Sequence, residues 1–410
     1  MNRRLFIAAV RDGLVLLQCT SLVPLLPSRA SAGESRMDDS RYLTLFLGGD
    51  IMTGRGIDQV LPHPGDPILY EGYVKDARRY VDLAERRNGP IPKPVDYKYV
   101  WGDALDAWDT FAPDLRIVNL ETSVTLSDDA WLSKAIHYRM HPRNVPCLNA
   151  AGLDCCVLAN NHVLDWGRAG LEETLTTISN AGIATAGAGH DIDAAMRPAR
   201  LHVPGKCNVL VFGVADASSG VPGSWRATPD QSGVWLLNEL SRDSADRVTA
   251  HVGNYRRPGD IVIVSIHWGS NWGYEVSSGQ RRFAERLIDS GAVDVIHGHS
   301  SHHARPLDIY RDRIILYGCG DFITDYEGIG GHEGFRPWHA PMYFASIDAV
   351  SGCIERLEIV LLQQRRFRLA QTGDEDRRWF RETLNAAGKH FATVFEVADD
   401  RLVARSGHVH

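Results

Sequence analysis

The sequence predicts an α/β fold in one large domain. Short apolar runs alternate with amphipathic segments of helical spacing, the pattern of sheets whose strands are joined by helices. Two runs, Cys207 to Val214 and Asp260 to Ile266, are apolar almost throughout, as expected for strands covered on both faces. The chain has 410 residues, 44 % hydrophobic and 23 % charged, so it can bury a sizeable core.

The individual elements follow from this alternation. Strands are predicted at Tyr42 to Leu47, Leu115 to Val118, Leu153 to Ala159, Ile183 to Ala186, Cys207 to Val214, Asp260 to Ile266, Ala292 to Ile296 and Ile314 to Tyr317. Helices are predicted at Glu71 to Arg87, Trp101 to Phe111, Asn144 to Ala151, Gly167 to Ala181, Ser277 to Ser290 and Asp374 to Lys389. A β-ribbon formed by Met342 to Asp348 and Cys353 to Leu362 is expected to close the sheet.

The first 32 residues are predicted to be an export signal. The apolar stretch Gly13 to Leu26 precedes Ala30-Ser31-Ala32, which has the small-x-small form of a signal-peptidase site. Arg3 to Ile7 also resembles a twin-arginine export motif. Because Arg11 and Asp12 interrupt the apolar stretch, an uncleaved anchor or a disordered leader is the alternative. We expect the protein in the periplasm or cell envelope, or outside the cell.

The remaining chain divides into a main domain, residues 41–365, and a C-terminal helix with a polar tail, residues 366–410. Residues 61–100 form an insertion in which six prolines bracket one helix. Long excursions of this kind are usually lids or binding loops. A second polar loop, residues 127–146, is expected to provide either substrate contacts or plain surface.

Polar side chains follow several of the predicted strands at the point where each ends. These residues are Asp50, Glu121, Asn161, His162, His267, His299 and His302. In open α/β sheets, ligands collect outside the carboxyl ends of the strands. Oxygen and imidazole donors without a thiolate suit Zn, Mn or Fe. The sequence therefore predicts a site for one or two divalent metal ions.

Single members of this set have simpler interpretations. Asp50 could cap the next turn, and Asn161 with His162 could begin a helix beside a structural histidine. Asp165 could orient a ring nitrogen of His162 or of a ligand histidine, or could cap the following helix. Arg55 could bind an anionic substrate group or form a surface salt bridge.

The chain resembles the CapA family of capsule-biosynthesis proteins, the poly-γ-glutamate synthesis proteins, which is related to calcineurin-like metallophosphoesterases. The resemblance covers about residues 42–350 and is carried, in the family's order, by the motifs LGGDIMTGR, NLE, LANNHVLDWG, IHWG, GHSSH and YGCGDF. It implies a four-layer α/β/β/α sandwich of the metallophosphoesterase type.

The resemblance also implies residue roles. Asp50 corresponds to the first metal-binding aspartate and Glu121 to the bridging carboxylate. Asn161 corresponds to a ligand, and His162 lies near the leaving group. The last metal ligands are the histidines His267, His299 and His302. In the implied mechanism a metal-activated water attacks the substrate, and His162 protonates the leaving group.

Two departures from the phosphoesterase pattern affect this site. Phosphoesterases usually begin with Asp-x-His, but this chain has Met52 at the histidine position. The second motif offers Glu121 after Asn119 in place of a Gly-Asp pair. One metal position is therefore expected to be weak, or to be completed by another donor such as Asp165 or His303.

The resemblance implies an exported CapA-like protein that acts in synthesis or processing of an anionic envelope polymer such as poly-γ-glutamate. We expect a metal-dependent hydrolase that cleaves a phosphoester or an amide bond. The alternative is a non-catalytic subunit that binds polymer or assists a synthase. Expected partners are the polymer and membrane synthase subunits, whereas the net charge of −7 disfavours nucleic acid.

Overall fold

A computed structural model describes residues 41–406 of the chain. The predicted export signal, residues 1–32, lies outside the described residues. Within the described range, no helix combines the length and the apolar character needed to cross a bilayer.

Helices and strands alternate along most of the described chain. Its α-helices are α1 (Arg55–Val60), α2 (Arg78–Asn88), α3 (Ala104–Phe111), α4 (Pro146–Ala150), α5 (Gly167–Asn180), α6 (Ile192–Met196), α7 (Arg242–Gly253), α8 (Ser278–Asp289) and α9 (Asp374–Ala387). Its strands are β1 (Tyr42–Ile51), β2 (Leu115–Leu120), β3 (Ser123–Val124), β4 (Arg139–Met140), β5 (Cys155–Val157), β6 (Ala184–Ala186), β7 (Ala188–Gly189), β8 (Ala199–Val203), β9 (Cys207–Asp216), β10 (Gly233–Val234), β11 (Leu236–Leu237), β12 (Asp260–His267), β13 (Val295–His299), β14 (Leu307–Tyr310), β15 (Arg313–Leu316), β16 (Asp321–Ile323), β17 (His339–Asp348), β18 (Ile354–Arg365), β19 (Arg368–Gln371), β20 (Thr393–Ala398) and β21 (Arg401–Ser406).

Two large sheets contain most of these strands. The first sheet has the order β20-β21-β18-β17-β1-β2-β5-β6, with β16 beside β1 and β19 beside β18. The second has the order β11-β9-β12-β13-β15-β14, with β8 beside β9. Strands β1, β2, β5 and β6 run parallel, as do β9, β12, β13 and β15. Their carboxyl ends therefore emerge together at one edge of each sheet.

The two sheets pack face to face between two layers of helices. Leu45 of the first sheet shares an apolar core with Ile263 of the second. On the outer faces, helices α1 to α5 cover the first sheet and helices α6 to α8 cover the second. Side chains of a strand point alternately to the two faces of its sheet. Accordingly, Cys155 lies in the core between the sheets, whereas the adjacent Cys156 packs under the helices. The predicted α/β class and the four-layer α/β/β/α arrangement are confirmed.

The C-terminal segment differs from the polar tail expected after the last helix. Strands β20 and β21 form an antiparallel hairpin, and β21 pairs with β18 at the end of the first sheet. Phe395, Leu402 and Val403 are buried there. The charged turn residues Asp399 and Asp400 interrupt the apolar pattern and conceal it in the sequence.

The excursion at 61–100 contains the predicted helix in a shorter form. The expected start was Glu71, whereas α2 begins at Arg78. Glu71 is completely buried and uses its carboxylate to bind Arg55, so the segment before α2 is irregular because it is held by tertiary contacts.

The parallel register brings the strand-end residues together. In the first sheet, Asp50 lies opposite Asn119 on one side and opposite Asp321 on the other. In the second sheet, His267 lies opposite His299. At the same point Gly49 meets the Gly320 carbonyl so closely that a Cβ on Gly49 would lie 1.7 Å from that oxygen.

Gly49→Ala is expected to destabilise the fold because the added methyl group would push β16 away from β1. Overpacking of a close-packed interior costs about 1–3 kcal/mol or more, which a urea unfolding curve measures. Gly253→Ala is the matched control, since no atom lies within 4 Å of its added Cβ at the end of α7. Equal unfolding midpoints for the two variants would contradict the close approach.

Candidate metal centre

The first group of candidate ligands consists of Asp50, His267 and His299. All three are buried, and their ligand atoms lie within 4.8 Å of one another. The Nδ1 atoms of His267 and His299 are 2.8 Å apart, and His299 Nδ1 is 3.9 Å from Asp50 Oδ1. Ser265 Oγ lies 2.9 Å from His299 Nε2. This contact fixes the ring so that Nδ1 faces the other two residues.

The second group consists of Asp50, His302 and Asp321, again within 4.8 Å of one another. His302 Nδ1 lies 2.9 Å from Asp321 Oδ1. The sequence analysis did not assign Asp321 as a ligand and named Asp165 or His303 as the substitute donor. Neither lies in these groups, because Asp165 binds His162 and His303 Nε2 accepts a hydrogen bond from the Gly273 backbone N–H.

Asp50 belongs to both groups. Its Oδ1 accepts a hydrogen bond from Asn119 Nδ2 at 2.8 Å, and its Oδ2 accepts one from the Ser300 backbone N–H at 3.1 Å. These contacts are not those of a helix cap, because Gly54 is the N-cap residue of α1. Burial and the nearby Asp321 carboxylate raise the pKa of Asp50 to about 7.

Glu121 and the Asn161 side chain lie beside the two groups, each close to one of their members. Asn119 Nδ2 also donates to Glu121 Oε2 at 3.3 Å, which places Glu121 next to Asp50. Burial and the charge of Asp50 raise the pKa of Glu121 well above its usual value. Asn161 Oδ1 is 3.1 Å from Nε2 of His267. Asp50 is the carboxylate common to both groups, and Glu121, to which the resemblance gives the bridging role, lies beside it.

His162 is held at the edge of the cluster by two neighbours. Its Nδ1 lies 2.6 Å from Asp165 Oδ2, while its Nε2 is 3.7 Å from Glu121 Oε1. Asp165 also accepts hydrogen bonds from Lys134 Nζ at 2.5 Å and from the Tyr138 backbone N–H. Burial lowers the pKa of His162 to about 4, against the opposing effect of Asp165. Asp165 thus orients the ring and does not cap α5, whose N-cap is Trp166.

Lys134 is a site residue that the sequence analysis missed. It comes from the polar loop 127–146, and its side chain is only 14 % exposed. Its ammonium group binds Asp165 and the Asn161 backbone carbonyl oxygen, and lies 5.0 Å from the ring centre of Trp225. No periodicity or motif distinguishes this lysine from a surface lysine in the sequence.

Arg55 lies in a buried ion-pair network. Its guanidinium donates to both carboxylate oxygens of Asp325, to Glu71 Oε1 at 2.8 Å and to the Tyr80 hydroxyl at 3.1 Å. The same group lies 3.9 Å from the ring centre of Tyr80 and 4.5 Å from that of Tyr138. The side chain is only 2 % exposed, so the surface salt bridge considered for it is wrong. Its hydrogen bonds hold protein groups rather than leaving the guanidinium free for a substrate anion.

The donor set fits a divalent cation. Asp50, Glu121 and Asp321 place three carboxylates in one buried cluster, and each has a raised pKa, chiefly because of burial. Asp321 Oδ2 has no hydrogen-bond partner although it is buried. A positive ion would satisfy this oxygen and offset the repulsion between the carboxylates.

A cavity of about 200 Å³ opens beside the cluster. We call it the metal-side cavity; its lining includes Tyr138, Asn271, Trp272, His302, Tyr326 and His332. Trp272 and His332 stack with ring centres 3.8 Å apart and an interplanar angle of 7°. The cavity thus gives a substrate access to His302 between aromatic side chains.

Comparison with known proteins identifies the family. Residues 44–326 match the family described as bacterial capsule synthesis protein PGA_cap. The chain belongs to this family. The resemblance to CapA proteins noted in the motifs is thereby confirmed.

Relatives of this PGA_cap protein carry related names. A probable polyglutamine synthesis accessory protein of Mycobacterium tuberculosis is 49 % identical over 362 residues, covering 88 % of this chain and 95 % of the relative. The capsule biosynthesis protein CapA of Bacillus anthracis is 28 % identical over 297 residues, covering 70 % and 61 %. Among solved structures, a phosphatase from Mycoplasma pneumoniae is similar with a TM-score of 0.43 and 12 % identity, covering 78 % of this chain and 94 % of that chain.

Asp50→Asn is expected to abolish stoichiometric binding of zinc, manganese or iron, because it removes the carboxylate that both groups share. Asp321→Asn is expected to reduce binding to about one ion per chain, because only the second group contains Asp321. Plasma mass spectrometry of the purified, metal-reconstituted protein measures both. Asp246→Asn on the surface of α7 is the control. Full metal content in Asp50→Asn would contradict the shared-ligand arrangement.

Arg55→Ala is expected to lower the free energy of unfolding by about 3–5 kcal/mol, because Asp325 and Glu71 would remain buried without their cation. Urea unfolding measures this difference. Arg79→Ala is the matched control, since Arg79 pairs with Asp82 on the exposed surface of α2 and contributes little. An Arg55→Ala variant as stable as that control would show that the network does not stabilise the fold.

Proposed function

We propose that this protein is exported and acts in synthesis or processing of a poly-γ-glutamate-type capsule polymer as a metal-dependent hydrolase. The observation that carries the proposal is that Asp50 is common to two groups of buried ligands beside the His162–Asp165 pair. Membership of the capsule synthesis family and the names of the relatives support the polymer as substrate.

The residues that would hold the metal are the members of the two groups. Asp50, His267 and His299 would bind one ion, and Asp50, His302 and Asp321 a second. Zn, Mn and Fe all suit carboxylate and imidazole ligands. A bound ion of this kind polarises the bond to be cleaved and makes water a stronger nucleophile at neutral pH.

The chain itself would position and move the proton. Asp165 holds His162 Nδ1, which leaves Nε2 as the ring nitrogen available to a substrate. His162, neutral because of its lowered pKa, would accept at Nε2 a proton released by the attacking water and pass it to the leaving group, an amine or an alcohol according to the bond cleaved. Lys134 keeps Asp165 ionised, since its ammonium and His162 lower the pKa of that carboxyl against the effect of burial. Glu121 Oε1 lies 3.7 Å from Nε2, so it faces the ring nitrogen that handles the proton.

A second candidate is a non-catalytic accessory subunit that binds polymer through the same site. Met52 supports it, because this buried thioether stands where phosphoesterases usually have a ligand histidine. The name of the Mycobacterium tuberculosis relative also describes an accessory protein. A protein with full metal content and no turnover of either bond type would favour this candidate.

His162→Ala is expected to reduce hydrolysis about 10²–10⁴-fold while leaving the metal content unchanged, because it removes a proton donor and no member of either ligand group. Release of new ends from poly-γ-glutamate and cleavage of a chromogenic phosphodiester measure the two reactions. Lys389→Ala, far along the chain near the end of α9, is the control. Wild-type turnover in His162→Ala would refute the catalytic role of this residue.

A further inference from the structure

Two tyrosines contact histidines of the candidate site. The ring of Tyr138 meets the ring of His162 edge to face, with ring centres 4.6 Å apart and an interplanar angle of 76°. The ring of Tyr326 meets the ring of His302 in the same manner, at 5.3 Å and 78°. Both tyrosines line the metal-side cavity. The pair therefore extends from the residue that handles the proton to a candidate metal ligand.

The hydroxyl groups of these tyrosines contact each other. The Tyr138 hydroxyl donates to the Tyr326 hydroxyl oxygen at 3.1 Å. The Tyr326 hydroxyl in turn donates to Met52 Sδ at 3.6 Å. A thioether sulfur is only a weak acceptor. Among residues 41–406 the two hydroxyl protons thus have one strong acceptor between them, and the proton of Tyr326 is left with the weak contact.

Met52 places this weak contact next to the candidate metal ligands. It follows Asp50 by two residues, and its thioether is buried. Its backbone N–H donates to the carbonyl oxygen of Ile323 at 2.8 Å, two residues after Asp321. The Tyr326 hydroxyl therefore lies beside the two segments that carry Asp50 and Asp321.

Other polar side chains of the metal-side cavity bind protein groups more strongly or lie at its rim. The Arg55 guanidinium is held by its two buried ion pairs. The Asn271 amide lies 2.9 Å from His302 Nε2. His332 is exposed. Tyr326 thus supplies a donor that a substrate oxygen can recruit without the loss of a strong hydrogen bond.

We propose that the Tyr326 hydroxyl donates a hydrogen bond to the substrate oxygen on which negative charge develops during hydrolysis. Attack of water on a carbonyl carbon or on a phosphorus atom moves charge to an oxygen of that group, and a donor placed there stabilises the transition state. By turning from the thioether to this oxygen, the hydroxyl exchanges a weak acceptor for a charged one. Tyr138 is a positioning residue, because it holds the Tyr326 oxygen. This inference rests on the proposed function and adds a catalytic residue to it.

The affinity for inorganic phosphate tests the donor without turnover, because this tetrahedral anion presents charged oxygens. Phosphate is titrated calorimetrically into the metal-reconstituted protein. Tyr326→Phe is expected to weaken phosphate binding about tenfold, since one charge-assisted hydrogen bond is lost. Its metal content is expected to stay unchanged, since Tyr326 belongs to neither ligand group.

Tyr317→Phe is the matched control for phosphate binding. Tyr317 is a buried tyrosine outside the cavity lining, and its hydroxyl has no partner among the described residues. Thermal unfolding verifies that each variant is folded. Equal phosphate affinities of the wild type and Tyr326→Phe would overturn the proposal. Loss of metal from Tyr326→Phe would also overturn it, because the hydroxyl would then be a ligand.

Kinetics on a chromogenic phosphodiester and on poly-γ-glutamate test the same contact during turnover. Tyr326→Phe is expected to lower kcat about 10²–10³-fold with little change in KM, because the contact strengthens in the transition state. Tyr138→Phe is expected to have the smaller effect, because it removes only the alignment of Tyr326, and a larger effect would contradict the order of the two hydroxyls. Absence of turnover in the wild type would refute the proposed hydrolysis, whereas wild-type kcat in Tyr326→Phe would refute this inference alone.

Discussion

Three buried carboxylates set the main electrostatic constraint on this structure: Asp50 near the end of β1, Glu121 just after β2, and Asp321 at the start of β16. Parallel pairing of β1 with β2 and β16 places Asp50 between Asn119 and Asp321, and Glu121 follows directly after β2. Such a cluster is stable only if it takes up protons or a cation. The surrounding imidazoles, amides and backbone N–H groups are compatible both with protonation of the carboxylates and with binding of a cation. The metal-binding character of the site is thus a consequence of strand register.

A network of polar side chains behind the ligands holds this arrangement in place. Asn160 donates to Asn119 at 3.0 Å, and Asn119 in turn donates to Asp50. In the second sheet, Ser265 links the rings of His297 and His299 at 2.9 Å each. Both chains of contacts are completely buried, so their geometry is shielded from water. The two sheets also meet directly, since His297 Nε2 lies 2.9 Å from the Gly48 carbonyl oxygen and His302 Nδ1 lies 2.9 Å from Asp321 Oδ1.

Local patterns in the sequence predict part of this site and cannot predict the rest. Asp50 and His267 could be identified because each directly follows an apolar run, and strand ends converge in parallel sheets. Asp321 also ends a strand signal, but its place beside Asp50 depends on the pairing of β16 with β1, which no local pattern encodes. Lys134 joins the site only when its loop folds over His162. Arg55 was predicted to lie at the site. Its ion-pair partners, which are distant in sequence, show that it stabilises the fold.

The Arg55 network has a consequence for exchanging parts between relatives. Arg55 and Asp325 belong to the sandwich, whereas Glu71 and Tyr80 belong to the excursion at 61–100. The excursion is therefore not a detachable module. A chimera that receives this segment from another protein must import a carboxylate and an aromatic ring at the same places, or else change the arginine with it. Among relatives, we expect the exposed positions of the excursion to vary independently. Glu71 and Tyr80 should change only together with their partners in the sandwich, Arg55 and Asp325.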